Sequence, residues 1–134
     1  ARGVALAGSI SRCHQLANPK AVQFAKDVID ELTNIFPFGY IHLGGDECPT
    51  TKWEQNKDCQ KLLAEIGSKN YRDLQINFYK QLKEHIAKKP ADQQRHLIFW
   101  NEVLHGNTQP LGNDITIMAW WVQTRQPRKQ LSAA

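Results

Sequence analysis

The chain has 134 residues, room for one ordinary domain, and a formal net charge of +4 with an isoelectric point near 9.1. Its basic residues are spread over predicted helix faces, with a dense cluster at residues 125–129 and no RNA-binding or zinc-finger spacing, so the charge does not indicate a nucleic-acid partner. No apolar run is long enough to span a membrane, and the three cysteines lack metal-ligand spacing, so we expect no membrane segment, no metal and no cofactor.

The first predicted elements are a helix, a strand and a second helix. Asn18-Pro19 is typical of a helix start, and the apolar residues after it recur at helical spacing. A short strand is predicted over residues 40–43 because they are aromatic, β-branched or apolar. The next helix is predicted to begin at a Thr51-x-x-Glu54 capping box and to end at Gly67.

The rest of the chain predicts one more helix and two more strands. An apolar face at helical spacing indicates a helix over about residues 70–89, which stops before a proline. Residues 97–100 and 115–120 read as strands, and the loop 101–113 between them has no convincing helix. This alternation of strands and helices predicts an α/β fold with a parallel sheet.

The residues that follow the first strand indicate an active site. Gly44 and Gly45 end the strand and are followed at once by two acids, Asp46 and Glu47. In α/β folds ligands are held at the carboxyl ends of the strands, which is where these acids lie. Neighbouring side chains point to opposite sides of an extended chain, so we expect the two acids to do different jobs. A loop start with a helix-capping acid is the alternative interpretation.

Tryptophans mark the ends of the other two predicted strands. Trp100 is followed by an asparagine and by Glu102, and the third strand ends in Trp120 and Trp121. Sugar rings present apolar C–H faces and hydroxyl edges, which suits aromatic walls with acids between them. Core packing under a helix is the alternative for each tryptophan taken singly. Their position at two strand ends favours a sugar-binding pocket.

These motifs together resemble a known enzyme family. Residues 42–47 (HLGGDE) are similar to the H-x-G-G-D-E signature of the family-20 glycoside hydrolases, the β-N-acetylhexosaminidases, and the likeness continues through Trp53 and the later tryptophan motifs, over roughly residues 18–121. The resemblance implies a (β/α)8 barrel, which takes about 250 residues. We therefore expect residues 1–134 to be a single partial catalytic domain, about three middle strands of the barrel with connecting helices, and both flanking portions to be absent.

The resemblance also implies roles for the two acids. The residue matching Glu47 protonates the glycosidic oxygen and then activates water. The residue matching Asp46 holds the 2-acetamido group of the substrate, whose carbonyl oxygen attacks the anomeric carbon. The substrate thus supplies the nucleophile, an exception to the usual pair of facing carboxylates. His42 falls on the Asp46 side of the strand, where it either supports the site or is an ordinary buried histidine.

The resemblance also implies roles for the residues at the ends of the second and third strands. Trp100 and Trp120 match the walls of the acetamido pocket, with Trp121 as an alternative one position along, and Glu102 is expected to be a peripheral sugar contact. The sequence Trp-Asn-Glu also resembles the acid/base motif of another clan of retaining glycosidases, in which Glu102 would be the acid. The two glycines before the acids argue against that clan, which gives no reason for them. A barrel that binds carbohydrate without turnover is a further alternative.

The expected partner is an amino-sugar glycan, and the resemblance suggests an exported, periplasmic or lysosomal protein. Taken alone, the segment is expected to be inactive and to self-associate. Both outer strands would have unpaired edges, and we expect Ile41, Leu43, Ile98 and Ile117 to lie on the sheet face that has no partner layer.

Overall fold

A computed structural model describes residues 16–46 and 49–120 of the chain. Three parallel strands form one sheet in the order β1-β2-β3: β1 is Tyr40–His42, β2 is His96–Trp100 and β3 is Ile115–Met118. The predicted parallel α/β arrangement is therefore confirmed. The third strand ends at Met118, two residues before its predicted end.

Two long helices lie where the sequence predicts them. Helix α1, Pro19–Ile35, begins at Asn18, whose side chain accepts a hydrogen bond from the Lys20 N–H at 3.0 Å. Helix α4, Arg72–Ala87, buries the predicted apolar face. Helices α1 and α4 pack against each other on the same side of the sheet.

The segment between β1 and α4 differs from its prediction. It contains two helices, α2 at Thr51–Glu54 and α3 at Lys57–Glu65, instead of one helix. The capping-box prediction is wrong: the cap position is Thr50, and its hydroxyl donates to the carboxylate of Glu54 at 2.9 Å. Asn56 starts a second helix because its side chain accepts the Cys59 N–H at 2.9 Å.

The connection from β2 to β3 contains two short 3-10 helices, Asn101–His105 and Gln109–Leu111, and no α-helix, as expected. This connection is hydrogen-bonded to the start of α4 and to the residues just before it. The Asp73 carboxylate accepts the Asn107 N–H at 2.7 Å, and the Asn70 amide donates to the His105 carbonyl at 3.1 Å. A 3-10 turn held to a helix in this way replaces the usual crossover helix.

The hydrophobic core lies between the sheet and the helices. Leu43, Leu97 and Phe99 are buried there with Trp53 and Tyr79, and three further strand residues pack against them: Ile41, Ile115 and Ile117. The expectation that Ile41, Leu43 and Ile117 face open space is therefore wrong, because strand alternation turns them toward the helices.

The other face of the sheet carries a different set of residues. By alternation Ile98 and Met118 are on it, together with polar and aromatic side chains: Tyr40, His42, His96, Trp100 and Thr116. Within the described residues no helix packs over this face. None of the described helices is long and apolar enough to cross a membrane.

Candidate active site

The double-glycine turn continues the sheet beyond β1. The Leu43 N–H donates to the Ile98 carbonyl at 2.9 Å, and the Trp100 N–H donates to the Gly44 carbonyl at 2.8 Å. Gly44 and Gly45 then have φ angles of 84° and 107°, in the region that side chains disfavour. Two such residues in succession redirect the chain, so Asp46 is presented at the carboxyl end of the sheet.

Two buried polar side chains of α4 form a hydrogen-bonded chain to the backbone of this turn. The Tyr79 hydroxyl donates to the Leu43 carbonyl at 3.4 Å, and the Gln75 amide donates to that hydroxyl at 3.3 Å. A Cβ added to Gly45 would lie 3.6 Å from both the Tyr79 oxygen and the Val103 Cβ. Sequence reasoning missed Tyr79 and Gln75; their spacing of four residues on a helix was the only available signal.

His42 connects the turn to the first tryptophan. Its Nδ1 accepts the Gly44 N–H at 3.0 Å, and its ring lies 4.6 Å from the Trp100 ring, centroid to centroid. An accepting Nδ1 places the proton of the neutral ring on Nε2. Burial lowers the pKa of His42, while the negative charge of Asp46 acts in the opposite direction. The ring is thus held neutral and close to Asp46, on the side that alternation predicted.

Asp46 itself is half-buried. Its Oδ1 atom is buried and has no hydrogen-bond partner in the described part of the chain, and the same holds for Nε2 of His42. A buried carboxylate oxygen without a donor is costly, so such an atom is suited to receive a donor from a ligand.

The second and third strand ends meet through side chains. The Trp120 indole N–H donates to Oε2 of Glu102 at 3.0 Å. Trp100 is half-buried beside His42, whereas Trp120 is 57% exposed. The structure therefore brings His42 together with Trp100 and within electrostatic reach of Asp46, and it pairs Glu102 with Trp120.

Two predicted site residues, Glu47 and Trp121, lie outside the described residues. Within 16–46 and 49–120, no group of three His, Cys, Asp or Glu side chains could hold a metal ion. A groove of about 420 Å³ exists elsewhere, lined by Ala17, Asp58 and Leu62 among others, and none of the predicted site residues lines it.

A parallel α/β sheet with an acid and aromatic side chains at its strand ends is typical of an α/β-barrel enzyme. The family model described as "Glycosyl hydrolase family 20, catalytic domain" matches residues 6–134. The chain therefore belongs to glycosyl hydrolase family 20, which confirms the resemblance stated from the sequence.

Individual relatives agree with the family. The chain is 39% identical over 98 residues to a beta-hexosaminidase of Porphyromonas gingivalis, covering 73% of this chain and 12% of that protein. It is 31% identical over 104 residues to a beta-hexosaminidase of Vibrio furnissii, covering 78% of this chain and 16% of that protein. The chain thus spans only a small part of the length of these relatives.

A solved structure supports the fold. The GH20 exo beta-N-acetylglucosaminidase from Vibrio harveyi, solved in complex with N-acetylglucosamine, matches with a TM-score of 0.69 and 29% identity. The match covers 81% of this chain and 16% of that one. The predicted fold class, a three-stranded portion of a (β/α)8 barrel, is confirmed by this likeness.

Proposed function

We propose that this chain is the middle part of the catalytic barrel of a β-N-acetylhexosaminidase, which removes terminal N-acetylglucosamine or N-acetylgalactosamine from β-glycosides. The observation that carries the proposal is the placement of Asp46. It follows two glycines with positive φ, its Oδ1 is buried with no donor in the described chain, and its charge acts on His42, whose ring contacts Trp100. Relatives named beta-hexosaminidase support the same activity.

Asp46 is proposed to bind the 2-acetamido group of the substrate. Its carboxylate accepts the acetamido N–H and stabilises the positive charge that develops as the group cyclises. The acetamido carbonyl oxygen bonds to the anomeric carbon while the bond from that carbon to the leaving oxygen breaks. A donor-free carboxylate oxygen is suited to this role because a substrate N–H supplies the missing donor.

Glu47 is proposed as the general acid and base. Its carboxyl group gives a proton to the leaving oxygen in the first step. In the second step its carboxylate takes a proton from water, whose oxygen bonds to the anomeric carbon while the bond to the acetamido oxygen breaks. The two displacements together retain the configuration of the anomeric carbon.

The remaining predicted site residues are proposed to shape the pocket. Trp100 is proposed as one wall of the acetamido pocket and Trp120 or Trp121 as another. His42 is proposed to act as a positioning residue, because its hydrogen bond to the Gly44 N–H and its contact with Trp100 join the acid-bearing turn to that wall. The acid/base alternative for Glu102 loses its support, since the family match is to family 20.

A substrate panel tests the proposed function in the complete protein that carries this chain. Aryl N-acetyl-β-glucosaminide and N-acetyl-β-galactosaminide are compared with aryl β-glucoside, which lacks the 2-acetamido group. Substrate assistance predicts turnover of the first two substrates and almost none of the third. Comparable rates on all three substrates would reject the mechanism, and binding of N-acetylglucosamine without turnover of any substrate would favour a non-catalytic barrel.

A further inference from the structure

Glu102 and Trp120 form a side-chain pair that continues the sheet beyond its last backbone pairing. Trp100 of β2 lies opposite Met118 of β3 in the register of the parallel sheet. Glu102 lies two residues after Trp100, and Trp120 lies two residues after Met118. Their hydrogen bond, 3.0 Å from the indole nitrogen to Oε2, therefore joins the ends of two neighbouring strands.

The hydrogen bond to Glu102 orients the Trp120 ring. The ring is 57% exposed, so packing against the described residues leaves much of its surface uncovered. The indole has a single N–H donor, and a carboxylate is a strong acceptor for it. Fixing that one donor restricts rotation of the whole ring about its side-chain bonds.

We propose that Glu102 is a positioning residue that holds Trp120 in the orientation in which it walls the acetamido pocket, an inference that rests on the proposed function. This role differs from the sugar contact expected from the sequence. One carboxylate oxygen is engaged by Trp120, and the effect of Glu102 on the substrate passes through the ring. Glu102 then influences recognition of the acetamido group without touching it.

A double-mutant cycle in the complete protein tests this role. The variants are Glu102→Ala, Trp120→Phe and the two combined, with kcat/KM on an aryl N-acetyl-β-glucosaminide and the Ki of a thiazoline mimic as readouts. Phenylalanine keeps an aromatic wall but has no N–H. We expect Glu102→Ala to lower both kcat/KM and affinity by about 10-fold in the parent. In the Trp120→Phe background the same change should have an effect within about two-fold.

Two further variants sharpen the test. Glu102→Gln keeps an oxygen that accepts the indole N–H, so it should restore most of the loss caused by alanine. Glu65→Ala removes a carboxylate from the exposed face of α3 and should leave both readouts unchanged. In ¹⁵N spectra the indole resonance of Trp120, identified by its absence from Trp120→Phe, should move on Glu102→Ala and hardly move on Glu65→Ala.

The outcomes separate this role from the proposed function. Equal losses from Glu102→Ala in both backgrounds would indicate a direct sugar contact and overturn the positioning role, as would an unmoved Trp120 indole resonance. A parent protein without activity on N-acetylhexosaminides would overturn the proposed function and this role with it. Coupled losses and a shifted resonance in an active protein support both.

Discussion

The turn that presents Asp46 should not tolerate alanine at Gly45. Its φ of 107° lies in a region that L residues rarely adopt, at a cost of about 1–3 kcal/mol. Alanine also lowers the entropy of the unfolded chain, which offsets about 0.4–1 kcal/mol. Space is not limiting, because the nearest atoms would be 3.6 Å from the new Cβ. We therefore expect Gly45→Ala to lower the free energy of unfolding by about 1–2 kcal/mol.

Activity should fall further than stability alone would require. Relief of the strain rotates the turn and displaces Asp46, and a misplacement of about 1 Å can cost about 100-fold in rate. Urea unfolding and kcat/KM on an aryl N-acetylglucosaminide are measured on the complete protein. Gly39→Ala is the matched control, since Gly39 precedes the same strand without a positive φ and has no atom within 4 Å of an added Cβ. If Gly45→Ala matched Gly39→Ala in both measurements, the strained-turn argument would be refuted.

Three more predictions concern the acid, the helix packing and the isolated segment. Glu47→Gln should depress turnover of natural glycosides by about 10² to 10⁴-fold and that of activated aryl glycosides much less, because only basic leaving groups need the proton; equal losses would count against Glu47 as the acid. At Asp30, desolvation raises the pKa, but hydrogen bonds from Lys89 and His85 with their charges outweigh it and hold the pKa below its usual value. Since the folded pKa is depressed, the contribution of Asp30 to stability is present above about pH 4 and lost as the pH falls through the folded pKa. The unfolding free energies of the parent and Asp30→Asn should thus differ by about 1 kcal/mol near neutrality, discounted for a half-exposed carboxylate, and converge in acid; a constant difference would contradict this. The 134-residue segment alone should lack hexosaminidase activity and sediment as an associated species, because among residues 16–46 and 49–120 nothing pairs with the outer edges of β1 and β3 and no helix covers the second face of the sheet; an active monomer would overturn the expectation.

Local sequence signals were sufficient for much of the fold. Asn18-Pro19 and the apolar spacing located α1, and the two glycines located the end of β1. The break between α2 and α3 was missed because Asn56 caps a new helix directly after a sequence that already looks like a cap.

The site was predictable only in part. Alternation predicted His42 on the Asp46 side, but β1 ends at His42 and Gly44 and Gly45 redirect the chain before Asp46, so the position of the acid depends on the turn and could not be derived from the strand pattern alone. The hydrogen bonds from Tyr79 to Leu43 and from Trp120 to Glu102 span 36 and 18 residues, and they depend on how helix and strands pack together. The alternation rule also gives the core side of Ile41 and Ile117, but only once the side covered by helices is known.

The most direct test of the account is Asp46→Asn in the complete protein. Asparagine keeps the shape of the side chain and removes its charge, so the fold should persist while the partner of the cyclised acetamido group is lost. We predict a loss of about 10² to 10³-fold in kcat and a matching loss of affinity for a thiazoline mimic. Asp92→Asn is an exposed change in a short 3-10 helix, Ala91–Gln93, that precedes β2, and it should alter neither quantity. A folded Asp46→Asn variant that binds the mimic as tightly as the parent would contradict the central role assigned to Asp46.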